Sequence, residues 1–572
     1  LYEVAGHHLN GIELGYFALG EFIYSGDDKR LKDESWFKIK NPAVIPRFHV
    51  QSLVSRRTFI FARAGFGKSN LNKLLFSSLY KETPTITKRN GREVPVGTVI
   101  FDPDGEYYWP DDRNRPGLCD VPELENKIVV FTKKKGPSPF YQSFVANDIK
   151  LDIRRLRPSE VISIALSPEK QEQQNVRKLK GLNDSDWRKL VDEIFLNKNA
   201  ADPDLIKGLL KLEPSQDVEM VAARGNMTNI VKMLHDPGSQ MMDMLIYSLK
   251  HGKICIIDVS QMRGEPALIL SSLVLQKIFD HNQQQFTEAK PETIPTIAVV
   301  EEAQAVLGSS GKSGERPYVT WVKEGRKYDL GAVLITQQPG SISKEILSQG
   351  DNWFVFHLLS EGDLKALKYA NAHFSDDLLR SLLNEPIVGH SIFWSSASEK
   401  SYPIPIRILS FEELYQTRDS GYCMGKGNTF ALELIGLFKS AVSGDRGKKV
   451  GFEEKGVISP EELDILSSEI DDEIEDVLER YISSAIEIFK NDVDLISRIK
   501  QNGLPWRGVI AALENALPDV IDAQERNKVA YGIVPLALKE VFGEEGDGWY
   551  TEKRPRREGS GITTWIVINK KE

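Results

Sequence analysis

Phe59-Ile60-Phe61-Ala62-Arg63-Ala64-Gly65-Phe66-Gly67-Lys68-Ser69-Asn70 is the stretch whose reading decides the fold. An apolar run with β propensity enters a short loop holding two glycines. Lys-Ser then opens a segment with helical spacing, predicting a helix from Lys68 to about Tyr80. The pattern is G-x-x-x-x-G-K-[ST] with Ala62 at the first glycine position. Gly65 and Gly67 let backbone N–H groups wrap phosphate oxygens, and the helix N-terminus faces the anion. Residues Ala62, Arg63, Ala64, Gly65, Phe66, Gly67, Lys68, Ser69 and Asn70 are therefore the expected nucleotide cradle. Lys68 is placed at the β- and γ-phosphates and Ser69 on Mg²⁺. Ala62 requires only a backbone conformation open to a residue with a Cβ.

Outward from that loop, the chain alternates strand and helix. Apolar strands are predicted at Thr58–Phe61, Gly97–Phe101 and Lys127–Phe131, then again at Lys253–Ile257, Thr296–Val300, Ala332–Thr336 and Trp353–His357. Such alternation predicts an α/β fold with a parallel sheet. Residues 157–250 interrupt it with helix-period apolar spacing, as in Trp187-Leu190-Val191-Ile194, and Ser159 is a candidate N-cap for the first helix.

Two further strand ends carry polar groups. Thr296–Val300 runs into Glu301-Glu302-Ala303-Gln304, where Glu301 is assigned to the Mg²⁺ shell and Glu302 to polarising the attacking water. The alternative is an acidic pair favoured by a helix N-terminus. Val333-Leu334-Ile335-Thr336 ends in Gln337-Gln338, and Gln337 is the candidate γ-phosphate sensor. Between them Lys323-Glu324-Gly325-Arg326-Lys327-Tyr328 offers Arg326, whose planar fork suits phosphate oxygens of a neighbouring subunit; a solvated surface arginine is the alternative. The candidate catalytic set is thus Lys68, Glu302, Arg326 and Gln337.

The order of these motifs, with Ser55–Asn70, Phe101-Asp102-Pro103-Asp104-Gly105-Glu106-Tyr107, Val300–Gln304, Glu324–Tyr328 and Thr336–Pro339, resembles the HerA branch of the HerA/FtsK translocases over roughly residues 10–412. The resemblance implies a RecA-like P-loop core with a helical-bundle insertion, a small N-terminal β-barrel and a homo-hexameric ring. It also implies ATP and Mg²⁺ as cofactors and movement along double-stranded DNA. The partner it implies is an effector subunit, a nuclease or, in some bacterial phage-defence relatives, a sirtuin-like NADase. By the same resemblance, Glu106 lies near the nucleotide.

The boundaries expected are a partial barrel over 1–50, core over 51–156 and 251–412, insertion over 157–250, and a linker over 413–452, where Gly, Ser and Lys abound. Residues 453–572 are expected to hold an acidic helix and a winged-helix-like C-terminal module. The first part, 453–480, has twelve acidic and two basic residues, with apolar positions at helical spacing. The module is expected over 502–572, with helices at Val509–Leu513 and Ile533–Leu538, Pro535 near the start of the second. β-runs at Gly548–Lys553 and Ile562–Ile568 flank a basic turn, Lys553-Arg554-Pro555-Arg556-Arg557.

Composition bounds the rest. The 572 residues are 41 % hydrophobic and 27 % charged, which excludes a mainly disordered chain. No apolar run reaches the length of a membrane span, so no membrane association is expected. Three dispersed cysteines, Cys119, Cys255 and Cys423, exclude a disulfide framework and suit a cytoplasmic setting. A net charge of −9 argues against coating nucleic acid over the whole surface and leaves room for a local basic channel. Lys133-Lys134-Lys135 and Arg263 are the candidate loops for DNA phosphates. The competing readings are an ATP-binding ring scaffold that organises an effector enzyme, and a conjugative DNA-coupling ATPase, which would bring a membrane anchor.

Overall fold

The computed structural model describes residues 1–8, 11–28, 37–48, 53–88, 91–262, 264–288, 290–308, 315–384, 387–396, 402–444, 482–517, 523–555 and 562–569. They fall into two compact units, Leu1–Val450 and Gly451–Glu572.

The first unit is built on a 13-stranded sheet. Eight strands run parallel, in the spatial order Val145–Asn147, Ile128–Phe131, Ile254–Asp258, Gly97–Asp102, Thr296–Val300, Leu330–Thr336, Arg57–Phe61 and Asn352–Val355. Nearly every residue in them is buried, because both faces are covered. Alternate side chains feed two cores. Phe59, Phe61, Val99, Phe101, Ile257 and Val300 face the helical insertion and the long helix Glu265–Phe286. Ile60, Ile100, Ile256, Val299 and Ile335 face the helix Lys68–Leu79. The strand that carries Gln337 lies between the phosphate-loop strand and the strand that runs into Glu301 and Glu302. That order brings three loops to one edge of the sheet.

The insertion runs from Pro158–Ala165 to Met241–Lys250 and returns the chain to Ile254–Asp258, two positions inside the edge strand Val145–Asn147. Its first helix starts one residue before the expected cap. Pro158 occupies the first helical position, where its missing N–H costs nothing, and Arg157 is the N-cap, so Ser159 lies inside the first turn.

Among the described residues of the first 50, three strands extend the central sheet and two form a separate pair. Gly15–Leu19 pairs antiparallel with Ile404–Ile408 and extends the central sheet, followed by Phe22–Ile23 and Lys38–Ile39. Ile12–Glu13 pairs with Arg47–Phe48. Among the described residues these pairings do not close into a ring. Gly15 is required by the close approach: a Cβ there would lie 1.9 Å from the Arg407 carbonyl oxygen.

The expected linker is partly a packed helix. Phe430–Gly444 carries Phe430, Ala431, Leu434 and Phe438 along one buried stripe against the edge of the sheet. The Gly, Ser and Lys of the flanking residues hid that 3.6-residue spacing. Upstream, Arg418 donates from Nη1 to Glu125 Oε2 at 2.7 Å, which ties residues 418–429 to the core. Residues 445–452 and the acidic stretch 453–480 lie outside the described residues.

In the second unit the order is a helix over 482–491, helix Val493–Asn502, strand Leu504–Pro505, helix Trp506–Ala516, helix Ala523–Phe542 and strands Trp549–Pro555 and Ile562–Ile568. The first short strand pairs with the last. Ala485, Phe489 and Ile499 share a core with Val509, Leu513, Val534 and Leu538, so this unit reaches upstream of residue 502. Pro535 sits in the middle of its helix, which continues because Ile533, Val534, Ala537 and Leu538 are buried on either side of it.

Candidate functional site

The strand Arg57–Phe61 ends at Ala62, whose N–H donates to the Thr336 carbonyl at 3.2 Å. Ala62 does not adopt a left-handed backbone, so the position accepts its Cβ. Arg63 N–H donates to His357 O at 3.1 Å, and Phe66 stacks on the His357 ring, centroids 4.5 Å apart. Gly65 and Gly67 have φ of 84° and 104°, in the region L side chains disfavour. Gly67 is the N-cap of the twelve-residue helix Lys68–Leu79 and offers no side-chain cap. The helix's first N–H groups therefore keep their capacity for an anion. Asn70 is turned away: it donates to Leu409 O at 2.8 Å and accepts from Phe411 N–H at 2.7 Å, locking the helix to the chain beyond Ile404–Ile408.

The other candidates meet this loop. Lys68 Nζ lies 3.5 Å from Glu302 Oε1. Gln337 Nε2 donates to the same oxygen at 2.8 Å. Glu302 itself has a left-handed backbone, φ 47°. Burial pushes its carboxyl up, but the Gln337 and Gln304 amides and the Lys68 charge outweigh that and hold it below the usual carboxylate range. Glu301 is more deeply buried and accepts from the Tyr107 hydroxyl; burial pushes it up to about 7, against the pull of Tyr107 and Lys68. Ser69 donates to Glu106.

Glu106 is brought there by a tight turn. Asp102 accepts backbone N–H groups from Gly105 at 2.7 Å and from Tyr107 at 3.0 Å, with Asp104 and Glu106 at 3.3 Å. Burial raises Asp102 to about 6 despite those donors. The spelling Asp-Pro-Asp-Gly-Glu-Tyr thus encodes the turn that delivers Glu106 to Ser69 and Tyr107 to Glu301.

Arg326 is not at this cluster. It is exposed in the turn Gly325–Tyr328, which enters the strand Leu330–Thr336 at its start, whereas the phosphate loop leaves its strand at the end. The seven-residue strand separates the two edges by about 23 Å at ~3.3 Å per residue. The lysine loop also differs from expectation. Lys134 lies 3.4 Å from the fully buried carboxylate of Asp258, which also accepts from Thr132 at 2.6 Å and from Tyr108 at 2.5 Å. That lysine balances a buried charge, and Lys133 is exposed beside it. Arg263 lies outside the described residues.

The family model described as "Helicase HerA, central domain" matches residues 39–278. The DNA double-strand break repair helicase HerA of Saccharolobus solfataricus is 23 % identical over 335 residues, 57 % of this chain and 59 % of that protein. The protein of the same name from Sulfurisphaera tokodaii is 24 % identical over 347 residues, 59 % and 61 % of the two chains. Over these residues the chain is similar to the HerA helicases. It spans about three fifths of the length of those two relatives. Among solved structures, the bacterial conjugative coupling protein TrwB is 14 % identical, with a TM-score of 0.41, over 72 % of this chain and 96 % of that one. VirB4 of Thermoanaerobacter pseudethanolicus is 16 % identical, with a TM-score of 0.33, over 62 % and 88 %.

Two residues of this site were not among the candidates the sequence offered. Tyr107 caps Glu301, and Gln304 donates to Glu302 Oε2. The signal for Tyr107 was its place in the Asp102 turn. Gln304 was visible in the sequence two residues after Glu302, and only the adjacency of Thr336 gives it a partner.

The donor set suits ATP with a hard divalent cation. Two glycines in left-handed geometry, an uncapped helix N-terminus and one lysine match a polyphosphate. Ser69, Glu106 and Glu301 supply oxygen ligands of the kind Mg²⁺ takes. No helix among the described residues is long and apolar enough to cross a membrane.

Proposed function

We propose that this chain is an ATP-hydrolysing, Mg²⁺-dependent motor that moves along double-stranded DNA as a homo-hexameric ring in the cytoplasm, with an effector subunit, a nuclease or a sirtuin-like NADase. The observation that carries the reading is the meeting of Lys68, Ser69, Glu302 and Gln337 at one edge of the sheet. In that arrangement residues 62–69 bind the phosphates, and Lys68 neutralises charge that grows in the transition state. Glu302 orients the attacking water. Gln337, bound to Glu302, senses the terminal phosphate. Ser69 and Glu301 would hold Mg²⁺, which would supply positive charge against the phosphates.

Arg326 supports the ring. Arg326 is exposed about a strand length from its own phosphate loop, so the nucleotide proposed for it is a neighbour's. Action on DNA is proposed from the HerA relatives, which are named as DNA double-strand break repair helicases, and movement along the duplex is the form of it proposed here. The order of elements in the second unit supports a winged-helix-like module, with Trp549–Pro555 and Ile562–Ile568 as its wing. Arg554 packs over Trp565 there, and the rest of the basic turn, Arg556 and Arg557, lies outside the described residues. The strands within residues 1–50 are proposed as a partial barrel.

The experiment is ATP turnover with and without linear duplex DNA. The wild type hydrolyses ATP faster with DNA, and Lys68→Ala abolishes turnover in both conditions. Turnover that survives Lys68→Ala overturns the nucleotide-site assignment. Turnover indifferent to DNA, together with an effector that is active only in the ring, favours a scaffold instead.

A further inference from the structure

Both oxygens of Glu302 are held by glutamine amides, and the two amides come from different parts of the chain. Gln337 Nε2 takes Oε1 at 2.8 Å and Gln304 Nε2 takes Oε2. Gln304 is itself held from behind. Its Oε1 accepts from Thr336 Oγ1 at 2.5 Å, and Thr336 Oγ1 accepts from the Gln338 N–H at 3.0 Å. The backbone N–H can only donate, so the hydroxyl proton of Thr336 is left for Gln304. The carboxylate can only accept, so the Gln304 amide turns its NH₂ to Glu302. Every polarity in the relay Gln338 N–H, Thr336 O–H, Gln304 NH₂, Glu302 carboxylate is therefore determined.

We propose that Gln304 is a positioning residue that aims the Glu302 carboxylate and links it, through the buried hydroxyl of Thr336, to the strand end that carries the γ-phosphate sensor Gln337. The inference rests on the ATPase reading given above. Two features make the relay necessary. Glu302 sits on a left-handed backbone, a strained conformation that persists only where its surroundings hold it. Its side chain is also 42 % exposed, so packing does not hold it. Gln304 and Gln337 together replace that missing packing with two hydrogen bonds. A shift of Gln337-Gln338 on meeting a terminal phosphate is then felt at Glu302 through Thr336 as well as through Gln337. Gln304 contacts the water-orienting carboxylate and not the phosphate loop, so its loss acts on turnover and spares nucleotide binding.

The test uses the full chain, steady-state ATP turnover and titration with a fluorescent ATP analogue. Gln304→Leu keeps the volume and loses both hydrogen bonds; it is expected to lower kcat about ten- to a hundredfold, with KM and analogue affinity within about threefold, as small misplacement of a catalytic group does. Thr336→Val is expected to move kcat in the same direction, and Thr336→Ser, which retains the hydroxyl, to stay close to wild type. Because both act through one relay, the double variant Gln304→Leu/Thr336→Val falls no lower than the worse single. The proposal is overturned if kcat stays within about threefold in Gln304→Leu and Thr336→Val. It is equally overturned if Thr336→Ser is as damaged as Thr336→Val, or if the two losses add. Should Gln304→Leu fail to fold, the Thr336 pair decides the matter by itself. Surviving turnover in Lys68→Ala would remove the ATPase reading and this inference with it, whereas loss in Lys68→Ala with no kcat change in the relay variants removes the inference alone.

Discussion

Changing Glu302 to Gln separates binding from chemistry, and the structure sets the size of both effects. The substitution keeps shape and removes the charge. Lys68 Nζ is 3.5 Å from Glu302 Oε1, so at an effective dielectric of about 20 the pair attraction is about 5 kcal/mol. Glu302 is 42 % exposed against 12 % for Lys68, and solvent screening reduces the usable part to roughly 1 kcal/mol. Losing that competitor frees Lys68 for phosphate oxygens, so ATP affinity should rise by about fivefold. Turnover goes the other way. An amide cannot take a proton from water, and loss of a positioned general base lowers the rate by about 10²–10⁴-fold. Fluorescent-ATP titration and a phosphate-release assay read the two quantities on one preparation. Turnover within about threefold of wild type, or nucleotide affinity more than about tenfold weaker, would refute the reasoning.

Mixing Arg326→Ala with Glu302→Gln subunits should recover part of the lost turnover, because some interfaces then pair an intact arginine with an intact glutamate; hexamers that recover nothing at any ratio place Arg326 outside the reaction. Asp351 accepts from Arg57 N–H at 3.0 Å and from Arg56 Nη1 at 3.1 Å at the base of the phosphate-loop strand, so Asp351→Ala should cost about 3 kcal/mol in a denaturant titration, and a loss under about 1 kcal/mol would contradict it. Glu301 titrates at about 7 because it is buried, so protons compete with Mg²⁺ as pH falls through that value. Apparent Mg²⁺ affinity should be about tenfold weaker at pH 6 than at pH 8, and a flat Mg²⁺ dependence across that range would disprove the metal role of Glu301. Removing residues 451–572 should leave basal ATP turnover within about threefold, since every site residue lies in the first unit, and should weaken effector assembly in a pull-down; full effector retention with collapsed DNA affinity would make the C-terminal unit a DNA-binding module instead.

How much of this was legible from residues alone divides by range. The loop Ala62–Asn70 was legible because its signals are local. Two glycines, a lysine and a hydroxyl at consecutive positions between an apolar run and a helix repeat the geometry they form. The parallel strands were legible for a related reason: continuous runs such as Ile128–Phe131 and Ile297–Val300 are apolar at every position only when both faces are covered. Phe430–Gly444 was not read as a helix, because the Gly- and Lys-rich residues on either side of it masked its apolar stripe, which covers the sheet edge.

The amino-acid sequence by itself determined that a phosphate loop exists, where its helix begins, and that two acids and an amide close later strands. Those depend on spacings of a few residues and on backbone conformations that glycine permits. Only the tertiary structure decided that Ser69 meets Glu106, that Tyr107 meets Glu301 and that Gln304 and Thr336 aim Glu302. It alone sent Arg326 to the opposite edge of the sheet from its own phosphate loop and joined Gly15–Leu19 to Ile404–Ile408. Each of these follows from the lateral order of strands and from pairings tens to hundreds of residues apart. Strand order is set by which faces bury the most apolar surface together, a property of the whole sheet that no short window of sequence contains.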